Sequence, residues 1–220
     1  MSDFDYRELT LVANLYTEYL AFIVRADSGI QSATELLAML KADPGAIKIA
    51  LATAVGSTNH MALGQILRHL GADPRKLDLR VFDSALYAVD DVVAGNAPLG
   101  VISAVSAVKA LKAGQVRALV VSAPERLAGV FAGAPTWTEL GVPCVIGQWR
   151  GVLGASGVGA DALAFWTHAL GAALAHADWQ AELAANSWSG AFMTGDKLRA
   201  FMDAEREFCG GMLQALGLVP

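Results

Sequence analysis

Only two cysteines occur in the 220-residue chain, Cys144 and Cys209, far apart and without C-x-x-C spacing. That excludes a disulfide-built scaffold and cysteine-paired metal sites, and leaves two buried or partly buried thiols as the expectation. Charge is scarce too, at 17% of residues with a net charge of −5. Nucleic-acid affinity comes from Lys and Arg set against phosphates; the chain has neither a basic stripe nor a basic tail, so no nucleic-acid partner is expected. No run reaches the roughly 18 uninterrupted apolar residues of a membrane-spanning helix. Met1-Ser2-Asp3-Phe4-Asp5 has no basic region and no apolar core, so it does not read as a secretory signal. The expectation is either cytoplasmic residence or a natural start upstream of Met1. Catalytic signatures are missing as well. His60, His69, His168 and His176 form no ligand spacing, and there is no G-x-S-x-G elbow, H-E-x-x-H helix or phosphate loop ending in Lys. No enzyme activity, metal or cofactor is therefore expected.

What is abundant is Ala, Val and Leu in periodic segments, with hydrophobic residues at 55%. Strand patterns alternate with helix patterns, the signature of an α/β fold with parallel strands. Strands are expected at 9–15, 19–25, 47–51, 77–81, 97–102, 116–122 (a central one) and 148–155. Ser32-Ala33-Thr34-Glu35 is a capping box opening a helix that ends before Asp43-Pro44-Gly45. Leu63, Ile66, Leu67 and Leu70 share one helix face, closed by Gly71 in the left-handed region. Further helices are expected between Ser84 and Gly95 and over 104–113, with a short one at 137–140. The remainder is mainly helical, at 161–177, 179–186 and 196–216.

Three strand-to-helix junctions carry hydroxyls. Gly56-Ser57-Thr58-Asn59-His60 follows one strand, Phe82-Asp83-Ser84 the next, and Ser103-Ala104-Val105-Ser106 a third. In a parallel sheet such junctions share the carboxyl edge, where ligands bind. The free N–H groups and dipole of a helix start favour a negative charge. A carboxylate could sit there without lysine. Each junction taken singly also reads as an ordinary helix cap, and His60 as a packing or capping residue. Gly157-Val158-Gly159-Ala160-Asp161-Ala162 imitates a dinucleotide fingerprint, but no strand bearing a ribose-binding acid follows it. Asp90 and Asp91 point in different directions on a helix and read as a solvated face.

The order of motifs resembles the extracytoplasmic substrate-binding proteins of tripartite tricarboxylate transporters, the Bug/TctC family. The likeness rests on Ser32 through Leu37, Ala42-Asp43-Pro44-Gly45, Gly56 through His60, Gly100-Val101-Ile102-Ser103, Lys112 through Leu119, and Ala134-Pro135-Thr136-Trp137-Thr138-Glu139-Leu140-Gly141. The resemblance implies a type II periplasmic-binding-protein-like fold, two α/β lobes joined by crossing strands and closing over a ligand. Lobe I would be 1–20 and 122–220, and lobe II 21–121, with hinges near 15–20 and 121–126. It also implies periplasmic residence, membrane permease subunits as partners, and capture of a small carboxylate. Family members start well upstream of Met1 with a P-F-x-x-G-G loop that is absent here, so lobe I is expected to lack its first βαβ units and to leave apolar surface open to self-association. Where the family has Tyr-Lys-Gly-Gly, this chain has Phe82-Asp83-Ser84-Ala85, which removes a positive charge. The expected ligand-binding set is Ser57, Thr58, Asn59, His60, Phe82, Ser84, Ser103, Ser106 and Trp149; Trp149 and Arg150 read equally as cleft-facing or as a packing and a surface residue respectively. The rival reading is the effector-sensing domain of a LysR-type transcription regulator, which shares the architecture and works in the cytoplasm.

Overall fold

The computed structural model describes residues 5–220 and divides into two compact units, one of residues up to Glu18 with Trp149–Phe208, the other Tyr19–Gln148 with Cys209–Pro220. The second unit thus takes in 122–148 and 209–220, which the sequence reading places in lobe I.

The chain opens into β1 (Thr10–Arg25), one 16-residue strand where two were expected. Tyr16-Thr17-Glu18 holds no turn former, so nothing interrupts the extended run. In the second unit β1 is followed by α1 (Ala33–Ala42), β2 (Lys48–Ala52), α2 (Thr58–Leu70), β3 (Asp78–Phe82), α3 (Ala85–Val93), β4 (Leu99–Ser103), α4 (Ala104–Lys112) and β5 (Val116–Val121). The strand order is β3-β2-β4-β1-β5. β2 pairs in parallel with both β3 and β4, whereas β1 is antiparallel to β4 and β5. β5 therefore lies at the end of the order and is not central; beyond it Val121 makes only a single bridge to Thr136. It reads as central because it is apolar, and it is buried by helices and loops instead of by strands.

The core of this unit is dense. Phe22 and Trp137 are fully buried and meet edge-on, their ring centroids 5.0 Å apart. Ala88, Val92, Ala104, Ala107 and Ala110 bring α3 and α4 onto the sheet beside Ile23 and Ile102. Gly71 closes α2 in the left-handed region at φ 70°, as expected. Cys144 is buried, which pushes its thiol up to about 12, and Cys209 is half-buried.

Two runs that carried the family resemblance hold the fold. Arg117 donates to the carbonyls of Ser28, Ile30 and Gln31, fixing the segment that enters α1. Thr136 and Glu139 cap one another reciprocally, the Thr136 N–H donating to the carboxylate at 2.7 Å and the Glu139 N–H to the hydroxyl at 3.1 Å. That box starts a 3-10 turn, Thr138–Leu140, where a short helix was expected.

The first unit holds the opening half of β1, then β6 (Gly147–Gly154, from Trp149), α5 (Ala160–Leu174), α6 (Ala177–Asn186), β7 (Trp188–Met193) and most of α7 (Gly195–Ala215). β6 and β7 both pair with β1. β7 was not anticipated: Trp-Ser-Gly-Ala-Phe-Met is short and carries a glycine. This unit's core is small, built on Leu11, Leu198 and Met202 with Tyr6, Trp149, Met193 and Phe201 around them. No residue of α5 is buried. Among the described residues, no helix is long and apolar enough to cross a membrane.

Candidate functional site

The sheet of the second unit puts three helix starts side by side. β3, β2 and β4 are parallel neighbours, with Ala52 opposite Phe82 and Leu51 opposite Val101. Their carboxyl ends therefore share one edge, and the helices that leave there are α3, α2 and α4. The Thr53 N–H donates to the Phe82 carbonyl at 2.8 Å and ties two of these exits together. Thr53 itself is left-handed at φ 74°, a conformation seldom adopted by a β-branched residue. Nothing in the sequence marks Thr53 beforehand, since a single non-glycine residue at positive φ has no compositional signal.

The three starts differ in how they are capped. Ser84 accepts from the Leu86 N–H at 3.3 Å, so its hydroxyl is engaged at the head of α3. Ser57 makes no side-chain cap on α2; its hydroxyl turns back to the Ala52 carbonyl at 3.3 Å. Ser103 makes no cap on α4 and pairs with Ser106, oxygen to oxygen, at 2.9 Å. The first N–H groups of α2 and α4 therefore carry the positive ends of two helices with no side-chain acceptor of their own.

The expected site residues fall into two groups. Ser57, Thr58, Ser84, Ser103 and Ser106 stand at this edge, half-buried except for the buried Ser103. Asn59 and His60 are buried and committed inward. The Asn59 amide donates to the Val101 carbonyl at 2.6 Å and its oxygen accepts from Gln148 at 3.2 Å. His60 Nδ1 accepts the Gly56 N–H at 3.0 Å, and burial lowers the imidazole pKa, so the ring is neutral. Both residues shape the turn after β2 from within. Phe82 is half-buried with the Arg80 guanidinium over its ring at 5.4 Å, and Arg80 reaches the buried Asp91 at 3.4 Å. Asp91 is therefore not a solvated residue. Trp149 belongs to the first unit, edge-on to Phe201 at 6.2 Å. Its neighbour Arg150 pairs with the buried Glu18 at 3.1 Å.

No Lys or Arg is among the residues expected at this edge, and Asp83 is exposed beside Ser84. Peptide N–H groups and hydroxyls are the donors there. Such a set suits a carboxylate, which accepts several directed hydrogen bonds without a full counter-charge. Among the described residues no cluster of His, Cys, Asp or Glu could hold a metal ion.

The model of the tripartite tricarboxylate transporter family receptor matches residues 2–218. No curated protein matches the chain. Among solved structures it is similar to a TctC solute-binding protein from Polaromonas without ligand, at 22% identity and a TM-score of 0.78, over 97% of this chain and 72% of that one. It is similar to R. palustris Rpa4515 with adipate, at 18% identity and a TM-score of 0.83, over 100% of this chain and 73% of that one. The periplasmic binding protein BugD is similar at 18% identity and a TM-score of 0.77, over 96% of this chain and 70% of that one. At these identities the likeness shows the fold, α/β and periplasmic-binding-protein-like.

Proposed function

The chain belongs to the tripartite tricarboxylate transporter receptor family, and we propose that it captures a small organic carboxylate, unchanged, for delivery to the membrane permease subunits of such an uptake system from the periplasm. The observation that carries this reading is the pair of helix starts, α2 and α4, that leave adjacent parallel strands without side-chain caps. A carboxylate seated there takes N–H donors from both, with the Ser84, Ser103 and Ser106 hydroxyls and bridging water completing its shell. Without lysine and with Asp83 nearby, the site favours a mono- or dicarboxylate over a tricarboxylate, since each added charge needs a counter-charge. Rpa4515, solved with adipate, supports a dicarboxylate. Self-association through the exposed Phe165 and Trp166 of α5 belongs to the same reading. The effector-domain alternative has no observation of its own in its favour.

Calorimetric titration with acetate, malate, adipate and citrate tests the proposal. Heat with a dicarboxylate, and an affinity about 10- to 150-fold lower in Ser106→Ala, is expected for a hydrogen bond to a charged group. No heat with any of the four at millimolar concentration would sink it.

A further inference from the structure

α7 passes from the first unit to the second between Phe208 and Cys209, and immediately afterwards carries Gly210 and Gly211. Both glycines are exposed and helical, and a Cβ built on either meets nothing within 4 Å. No packing demand calls for them. Glycine in a helix interior weakens the helix relative to alanine, so the pair is a soft point within 21 residues. Beyond it the helix closes in a Schellman turn. Gly217 is left-handed at φ 70°, its N–H donates to Gln214 and the Leu218 N–H donates to Leu213, both at 2.9 Å.

That closure sets Leu213 and Leu218 together, and both stand 3.1 Å from where a Cβ on Gly56 would lie. Met212 and Leu216, both buried, press on Gly64 of α2 in the same way, at 2.7 and 3.1 Å. Gly56 itself has φ 84° and gives its N–H to His60. Its missing side chain is thus required by both its conformation and the two leucines beneath it. We infer that the C-terminal turn of α7 is the positioning element of the Gly56–His60 turn. Gly210–Gly211 is the flexure that keeps this turn seated on α2 when the preceding turns of α7 bend.

Hydrogen–deuterium exchange on the ligand-free chain tests this independently of any carboxylate. Amides of 209–213 should exchange about tenfold or more faster than those of 198–204, and Gly210→Ala with Gly211→Ala should remove the difference. Leu213→Ala with Leu218→Ala should speed exchange across 54–61 by about tenfold while β3 and β4 hold, and Leu213→Met with Leu218→Met should restore most of the protection. Uniform exchange along α7 would overturn the flexure. Acceleration spread equally over the strands of the unit, or none at 54–61, would overturn the positioning role.

Discussion

At the scale of single residues, the turn after β2 separates side chains that face a ligand from those that hold the turn. Asn59 spends both ends of its amide on Val101 and Gln148 in a buried setting. Asn59→Ala removes both hydrogen bonds, at about 1–3 kcal/mol in all. The expected result is a lower urea midpoint with an unchanged slope, read by circular dichroism. His60 supplies a pH dependence of known sign. Burial depresses its folded-state pKa below the ordinary 6.5, so the unfolded chain binds a proton more readily. The stability that neutral His60 contributes is present above pH 6.5 and is lost as pH falls through the lower folded value. A protonated Nδ1 could not accept the Gly56 N–H. Melting temperatures at pH 7.5 and 5.5 should therefore differ less in His60→Gln than in the unaltered chain; equal differences would show that His60 carries no linkage.

At the scale of elements, the alternation of strands and helices was legible because each boundary has a chemical mark. Ser32 and Glu35 form the capping box read from their spacing: the Glu35 N–H donates to the Ser32 hydroxyl at 3.1 Å, and the Glu35 carboxylate accepts from the Gln31 N–H at 2.6 Å. Ser32→Ala should cost about 1 kcal/mol in chemical denaturation, with Ser32→Asn restoring most of it. Where chemical marks are absent, pattern and structure part. Thr17 and Glu18 break the apolar pattern of β1 without any turn residue, and the apolar content of β5 cannot distinguish cover by strands from cover by helices. The hydroxyls at three helix starts could be seen in the sequence. Which of those starts stay uncapped could not, because that depends on whether Ser57 turns to Ala52 and Ser103 to Ser106. The runs that mark the family most strongly lie outside the expected site. Arg117 and the Thr136–Glu139 pair are specific to the family pattern yet secure loops within the fold.

At the scale of the whole molecule, the two units are built to different standards. Nearly all fully buried large side chains, among them Trp137, Phe22, Phe131 and Leu63, lie in the second unit. The first unit rests on a few buried residues such as Leu11, Leu198 and Met202, while Phe165 and Trp166 remain 63% and 54% exposed. Stability follows apolar area removed from water, so the first unit should open at lower denaturant than the second. The tryptophans make this measurable. Of the five, Trp137 alone lies in the second unit, and Trp149, Trp166, Trp179 and Trp188 report on the first. Three of the first unit's indole and phenol rings, Tyr16, Trp179 and Trp188, form one cluster whose closest pair stacks at 4.4 Å. Intrinsic fluorescence should accordingly complete most of its shift while about half of the helical signal at 222 nm, that of α1 to α4, remains. Trp137→Phe should leave the fluorescence transition in place, and Trp188→Phe should reduce its amplitude. Coincident fluorescence and dichroism curves would mean that the sparse unit draws its stability from the dense one, and that the chain unfolds as a single cooperative body.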